Sequence, residues 1–236
     1  MEAPPSIPPG PASLETSAGD FTLQEYRLRS GGREWTAWHT GAVLTFDDEQ
    51  RVIGAATDRL PYGVSLWPSA IALAHEVAAR EADFRGRSAL ELGSGTGLPG
   101  IVAASLGARV VQTDRDELAL HLGEKNAGRN GVAGIELRLA DWTTWDVPGR
   151  FDWILGADIL YGASLHGDLR KVFAASLAPG GRILLADPLR PMSLRLLEAM
   201  EREGWTITMS RYELGDDPQP APIGVFELIP PGPVGA

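Results

Sequence analysis

The chain has 236 residues, 44% of them hydrophobic, no cysteine, and a formal net charge of −10. A length and apolar content of this order support one sizeable α/β core, and exclude wholesale disorder, disulfide frameworks and thiolate metal sites. The acidic balance, with no Lys/Arg-rich block, argues against nucleic acid as a partner, because phosphate binding depends on clustered cations; a basic peptide or protein stays open. No apolar run approaches the ~18 residues of a membrane-spanning helix, and Glu2 stands where a signal peptide would be positive. The expectation is a soluble, cytoplasmic protein with no membrane partner. His39, His75, His121 and His166 lack metal-ligand spacing, so they read as surface or helix residues and no metal is expected.

Residues 1–17, rich in Pro, Ser and Gly, read as a flexible tail, and residues 18–60 as a small N-terminal β extension. Within that extension, residues 25–28 and 34–38 form two short strands joined at Ser30-Gly31-Gly32, a hairpin signal; residues 42–46 and 51–54 extend it. From residue 61 to 230 the pattern is that of a single larger domain, closed by a second short tail at 231–236.

Apolar residues at helical spacing, Ile71, Leu73, Ala74, Val77 and Ala78, predict a helix over residues 68–80. A regular alternation follows. Strand Ser88–Leu92 leads to a helix over 98–106, with Pro99 in the first turn, where its missing N–H costs nothing. A strand over 109–113 precedes helix Glu117–Arg129, which stops at Asn130-Gly131. Strands over 135–139 and 151–155 come next, then a helix over 165–177 ended by Pro179-Gly180-Gly181. A strand over 182–186, a helix over 192–203 and two strands over 205–212 and 224–229 complete the chain. The last two strands, separated only by the turn residues 215–218, should pair antiparallel. The fold class is α/β: a Rossmann-like, doubly wound, mixed seven-stranded sheet with a C-terminal antiparallel hairpin.

The strongest chemical signal is Leu90-Glu91-Leu92-Gly93-Ser94-Gly95-Thr96-Gly97, which leaves the first parallel strand and enters a helix. Glycines there let backbone approach a ligand closely, and the helix N-terminus offers N–H groups and the positive end of a dipole. Residues 95–100 also fit the dinucleotide fingerprint G-x-G-x-x-G, so the loop alone does not choose between cofactors. Asp114 ends the next strand, where a carboxylate can accept ribose hydroxyls; a helix N-cap ahead of Glu117 is its alternative, compatible with that role. Some ninety residues precede the glycine loop and the sheet closes in an antiparallel hairpin, an order that disfavours NAD. Asp141-Trp142 lies just past the third parallel strand and Asp158-Ile159-Leu160-Tyr161 past the fourth. All four turns thus carry a polar or aromatic group at the carboxyl edge, where open α/β sheets bind ligands. Trp142 is placed to flank an aromatic base, and Trp67, before its helix, to cover a ligand; each has an ordinary packing role as its alternative.

At these residues the chain closely resembles the class I, seven-β-strand methyltransferases, and within them the non-SET protein-lysine methyltransferase family whose members modify chaperones and other ATPases. The resemblance rests on residues 66–70, the 91–97 loop continuing through 104, Thr113-Asp114-Arg115, Asp141-Trp142 and residues 155–161. It implies S-adenosyl-L-methionine as cofactor, held by residues matching Trp67, Gly93, Ser94, Gly95, Asp114, Trp142 and Ala157. Asp158 and Tyr161 would face the acceptor amine. Gly97 and Asp141 complete the expected cofactor set, with Glu91 near the ammonium group of the methionine end. The Asn/Asp-Pro-Pro-Tyr run common in methyltransferases of amide or nucleobase nitrogens is replaced by Ala157-Asp158-Ile159-Leu160-Tyr161, which argues against methylation of DNA, RNA bases or glutamine. A lysine with an unperturbed pKa of ~10.4 must lose its proton before transfer. A carboxylate favours the charged amine, so Asp158 is expected to orient the amine while the proton leaves to water. A small-molecule N- or O-methyltransferase and a non-catalytic cofactor-binding module are the alternatives.

Overall fold

A computed structural model describes residues 13–16, 19–41, 62–214 and 222–232. The strands expected over 42–46 and 51–54, the turn over 215–218 and most of both tails lie outside the described residues. Two antiparallel pairs come first: β1 (Ser13–Thr16) with β2 (Gly19–Thr22), and β3 (Gln24–Ser30) with β4 (Arg33–His39). Gly31 and Gly32 join β3 to β4 with φ of 57° and 76°, the paired left-handed residues that a tight two-residue hairpin turn demands. His39 is a correction to the surface-or-helix expectation: it ends β4 and is buried, and burial pushes its pKa down.

The main body alternates strand and helix. In chain order come α1 (Pro68–Ala79), α2 (Glu81–Phe84), β5 (Ser88–Leu92), α3 (Leu98–Ser105), β6 (Arg109–Asp114), α4 (Glu117–Arg129) and β7 (Glu136–Leu139). Then follow β8 (Phe151–Ala157), α5 (His166–Ser176), β9 (Leu177–Asp187), α6 (Pro191–Arg202), β10 (Thr206–Glu213) and β11 (Pro222–Ile229). The seven-stranded sheet runs β10-β11-β9-β8-β5-β6-β7, with β11 antiparallel to both neighbours and the other pairings parallel. Residues 13–16, expected in the tail, instead form β1, whose Leu14 is fully buried. In the main body expected and observed elements agree closely, with two differences. The short α2 carries Phe84, fully buried and stacked on Trp153 at 5.0 Å. Strand β9 begins at Leu177 rather than 182: Phe151 pairs Leu177 and Trp153 pairs Arg182, so Pro179-Gly180-Gly181 is absorbed as a bulge.

Strand alternation explains the core. Leu90, Leu92, Ile154, Ile183, Leu185 and Phe226 point to the face covered by α5 and α6. Their neighbours Ala89, Leu155, Leu184, Ala186 and Val225 point to the face covered by α1 and α3. Leu28, Trp35 and Ala37 of the β3–β4 hairpin join this second cluster, so the hairpin is packed into the main core. Among the described residues, no helix is long and apolar enough to cross a membrane.

Candidate active site at the carboxyl edge of the sheet

Strand order reverses between β5 and β8, since β6 and β7 lie on one side and β9 on the other. A crevice opens outside the strand ends at such a point. Leu92 pairs Gly156, which brings the loop after β5 beside the end of β8. The glycine loop itself needs its glycines: Gly93, Gly95 and Gly97 have φ of 60°, 53° and 76°, a region L side chains seldom adopt. A Cβ on Gly95 would lie 3.0 Å from the carbonyl oxygen of Gly63, and one on Gly100 only 2.4 Å from the Glu91 carboxyl. The nearest demand on these positions therefore comes from the protein's own neighbours.

Glu91 takes its direction from the pleat. Leu90 and Leu92 face α5 and α6, so Glu91 between them must face α3, beneath the loop. It is 2% exposed, and its Oε2 accepts from the Gly100 N–H at 3.2 Å and from Gln112 Nε2 at 2.8 Å. Burial pushes its pKa up to about 8, against the pull of those donors. Gln112, which the sequence reading missed, also donates to the Gly97 carbonyl at 2.8 Å and so braces the loop from below.

Asp114 is buried at the end of β6. Its Oδ2 accepts from the Gly95 N–H at 3.0 Å and its Oδ1 from the Asp116 N–H at 3.1 Å; burial raises its pKa and these donors lower it. The single turn Tyr62–Val64 lies over this contact, with Gly63 against both Gly95 and the Asp114 carboxylate. Trp67, at the N-cap of α1, donates its indole N–H to the Tyr62 carbonyl at 3.1 Å. Its ring is thus fixed to the turn that covers the loop.

Across the crevice, Trp142 opens a short turn, Trp142–Thr144, capped by Asp141, whose Oδ1 accepts from the Thr143 N–H and hydroxyl at 2.8 and 2.7 Å. Those two donors hold the Asp141 carboxyl below its ordinary range. A Cβ on Gly93 would lie 3.3 Å from the Trp142 ring and 3.2 Å from Ile159, so both side chains pack against the start of the loop. Ser94 is buried, its N–H bonded to the Thr113 carbonyl at 2.9 Å. Ala157 closes β8 opposite Ala186.

Asp158 adopts a left-handed φ of 60°, a conformation uncommon outside glycine. Its N–H is held by the Ala186 carbonyl at 2.8 Å, Oδ1 pairs with the Arg190 guanidinium, and Oδ2 accepts from the Ser69 hydroxyl at 3.3 Å. Arg190 reaches Asp187 Oδ2 at 3.2 Å, and Asp187, fully buried, accepts from Ser193 Oγ at 2.8 Å. Burial pushes the Asp158 pKa up while Arg190 pulls it back. Sequence reasoning missed Ser69, Arg190 and Asp187; a carboxylate and an arginine straddling the residues just past a parallel strand were the available signal.

These contacts form one open chain around the ends of β5, β6 and β8. It runs from Asp114 through Gly95, Gly63, Tyr62 and Trp67 to Ser69, then through Asp158, Ile159 and Gly93 to Trp142. Tyr161 stands outside it, 48% exposed past β8, and Asp141 presents only its exposed cap. A loop of three left-handed glycines, a buried carboxylate at the next strand end and a final antiparallel hairpin give the Rossmann-like site that the resemblance to methyltransferases implies. The comparisons agree. Residues 48–201 match the model of a family described as lysine methyltransferase. Over 181 residues the chain is 34% identical to the protein N-lysine methyltransferase METTL21A of Mus musculus, covering 72% of this chain and 82% of the relative. Over 216 residues it is 32% identical to the METTL21A of Danio rerio, covering 89% and 85%. Among solved structures, the 16S rRNA N2 G1207 methyltransferase of T. Thermophilus, in complex with AdoMet and guanosine, superposes with a TM-score of 0.57 at 20% identity, over 94% of this chain and 52% of that one, and shows the shared fold. The chain belongs to the lysine methyltransferase family.

Proposed function

We propose that this protein methylates the side-chain amine of a lysine in a protein acceptor, working in the cytoplasm. The observation that carries the reading is the chain of contacts around the β5–β8 switch point, which gathers the glycine loop, Asp114 and Asp158 at one edge. The names of the relatives, protein N-lysine methyltransferases, support the acceptor class. When bound, S-adenosylmethionine supplies a methyl group on a sulfonium, made reactive by the positive sulfur.

The residues present fit that group. Asp114 is buried at a strand end with its oxygens held by backbone N–H groups, in position to accept hydroxyl donors from a ribose. Gly93 to Gly97 would hold the amino-acid end against the start of α3, whose N-cap Gly97 brings no side-chain cap. Trp67 and Trp142 would border the adenosine. Glu91 acts from beneath, fixing Gly100 and Gln112 rather than touching a ligand.

On the acceptor side, Asp158 would orient the incoming amine through hydrogen bonding. Arg190 on Oδ1 offsets the carboxylate's field, and so reduces the penalty that a lone carboxylate would add to losing the ammonium proton. The proton leaves to water, and the exposed Tyr161 offers its ring to the approaching cation. Positioning does most of the work in such an in-line displacement. Tritiated S-adenosylmethionine incubated with the protein and host lysate, followed by gel separation and mass spectrometry, tests the reading: a labelled protein band whose modified residue is lysine is expected. Label confined to metabolites, or no label at all, would overturn it. Fractionation of host cells tests the cytoplasmic location.

A further inference from the structure

Helix α4 carries two asparagines four residues apart that treat strand β4 as a sheet neighbour would. Asn130 accepts from the Thr36 N–H at 2.8 Å and donates to the Thr36 carbonyl at 2.7 Å. Asn126 accepts from the Trp38 N–H at 2.7 Å and donates to the Trp38 carbonyl at 3.1 Å. The spacings match because four helix residues advance ~6 Å and two strand residues ~6.7 Å. The edge of β4 is thereby paired by side chains in place of another strand.

The two asparagines are not equivalent. Asn126 is fully buried, and its Nδ2 also donates to the Thr96 carbonyl at 2.8 Å, inside the glycine loop. Its two amide hydrogens thus go to the hairpin and to the loop at once, while its oxygen holds the hairpin. The loop is seated on the same helix from a second side, since a Cβ on Gly97 would lie 3.3 Å from Gly123 Cα. Asn130 has no such reach: its remaining bond goes to the Asn126 carbonyl on its own helix, at 2.7 Å.

We infer that Asn126 is a positioning residue for the cofactor loop, coupling the N-terminal hairpin to cofactor binding. The inference rests on reading the 93–97 loop as part of the S-adenosylmethionine site. A hairpin displaced at Trp38 pulls on the amide that fixes Thr96. Conversely, a ligand that orders the loop tightens the hairpin, because coupling between two sites is reciprocal.

Titration calorimetry with S-adenosylhomocysteine on the full chain tests this. Wild type must bind; failure to bind would remove the site reading itself. Asn126→Ala should weaken binding about tenfold, the effect of an orphaned buried carbonyl on loop geometry. Asn130→Ala strips a comparable pair of hairpin bonds and should stay within about twofold of wild type, although both variants lower Tm. Equal loss in the two variants, or undiminished binding by Asn126→Ala, would overturn the coupling and leave the site reading standing. Should Asn126→Ala fail to fold, amide hydrogen exchange on wild type decides. Adding S-adenosylhomocysteine should slow the Trp38 amide more than the Thr36 amide, and equal rates with and without the ligand would overturn the inference.

Discussion

The two halves of the carboxyl edge are held by different chemistry. On the β5–β6 side, Glu91 and Asp114 are buried and satisfied by neutral donors: the N–H groups of Gly95, Gly100 and Asp116, and the Gln112 amide. On the β8–β9 side, Asp158 and Asp187 share the Arg190 guanidinium, with hydroxyls of Ser69 and Ser193 on their flanks. Neutral donors fix a loop without adding a field, which would suit the half proposed to receive a cofactor carrying its own charge. On the same proposal, a guanidinium would set the charge balance around an amine that arrives as a cation and reacts as a neutral base. The comparison predicts that substitutions on one side change binding and on the other change turnover.

The largest effect should come from Asp158→Asn, which keeps the shape and tolerates the left-handed backbone. Turnover should fall by about a hundredfold or more while affinity for S-adenosylhomocysteine stays within about threefold, as steady-state kinetics and calorimetry would read. Near-normal turnover would remove Asp158 from the acceptor side. Asp114→Ala should show the mirror image, with cofactor affinity reduced by about tenfold or more; an unchanged dissociation constant would break the assignment of the β5–β6 half. Gly95→Ala forces a side chain into a φ of 53° and against the Gly63 carbonyl at 3.0 Å. It should cost about 1–3 kcal/mol, read as a lowered midpoint in denaturant unfolding, and weaken cofactor binding as well.

The smallest effect separates the halves by pH. Glu91, with its pKa raised from 4.5 to about 8, stays protonated in the folded chain over a range where the unfolded chain has ionised. Its contribution to stability is therefore complete below about 4.5 and is lost progressively as pH rises to about 8, levelling off above that. Melts at pH 6 and pH 9 should differ by about 5 °C, and Glu91→Gln should flatten that slope. A slope unaltered in the variant would assign it to another group.

Much of the fold could be read in advance because its period is regular. Ser88–Leu92 and Glu117–Arg129 were bounded correctly by apolar spacing and by the Asn130-Gly131 stop. The Pro179-Gly180-Gly181 segment was read as a break after a helix, and it is one; that the same residues belong to a bulged strand depends on the pairing of Leu177 with Phe151, which no local signal reveals. In the site, Gly95 and Asp114 were legible because a loop after a strand has few possible uses. Glu91 was legible as part of the motif, but its buried bonds to Gly100 and Gln112 follow from the pleat and show only in the folded chain. Gln112 and Asn126 were invisible for one common reason: each acts on a residue distant in sequence, and only the folded chain brings the pair together.

The stretch that matches the family model begins at residue 48, after the β3–β4 hairpin has already been made. Expression of a shortened protein starting there would strip Leu28, Trp35 and Ala37 from the interior and leave two asparagine amides on α4 facing solvent. The limit of the family model and the limit of the packed core are different places in this molecule, separated by a pair of short ribbons whose role shows only in three dimensions.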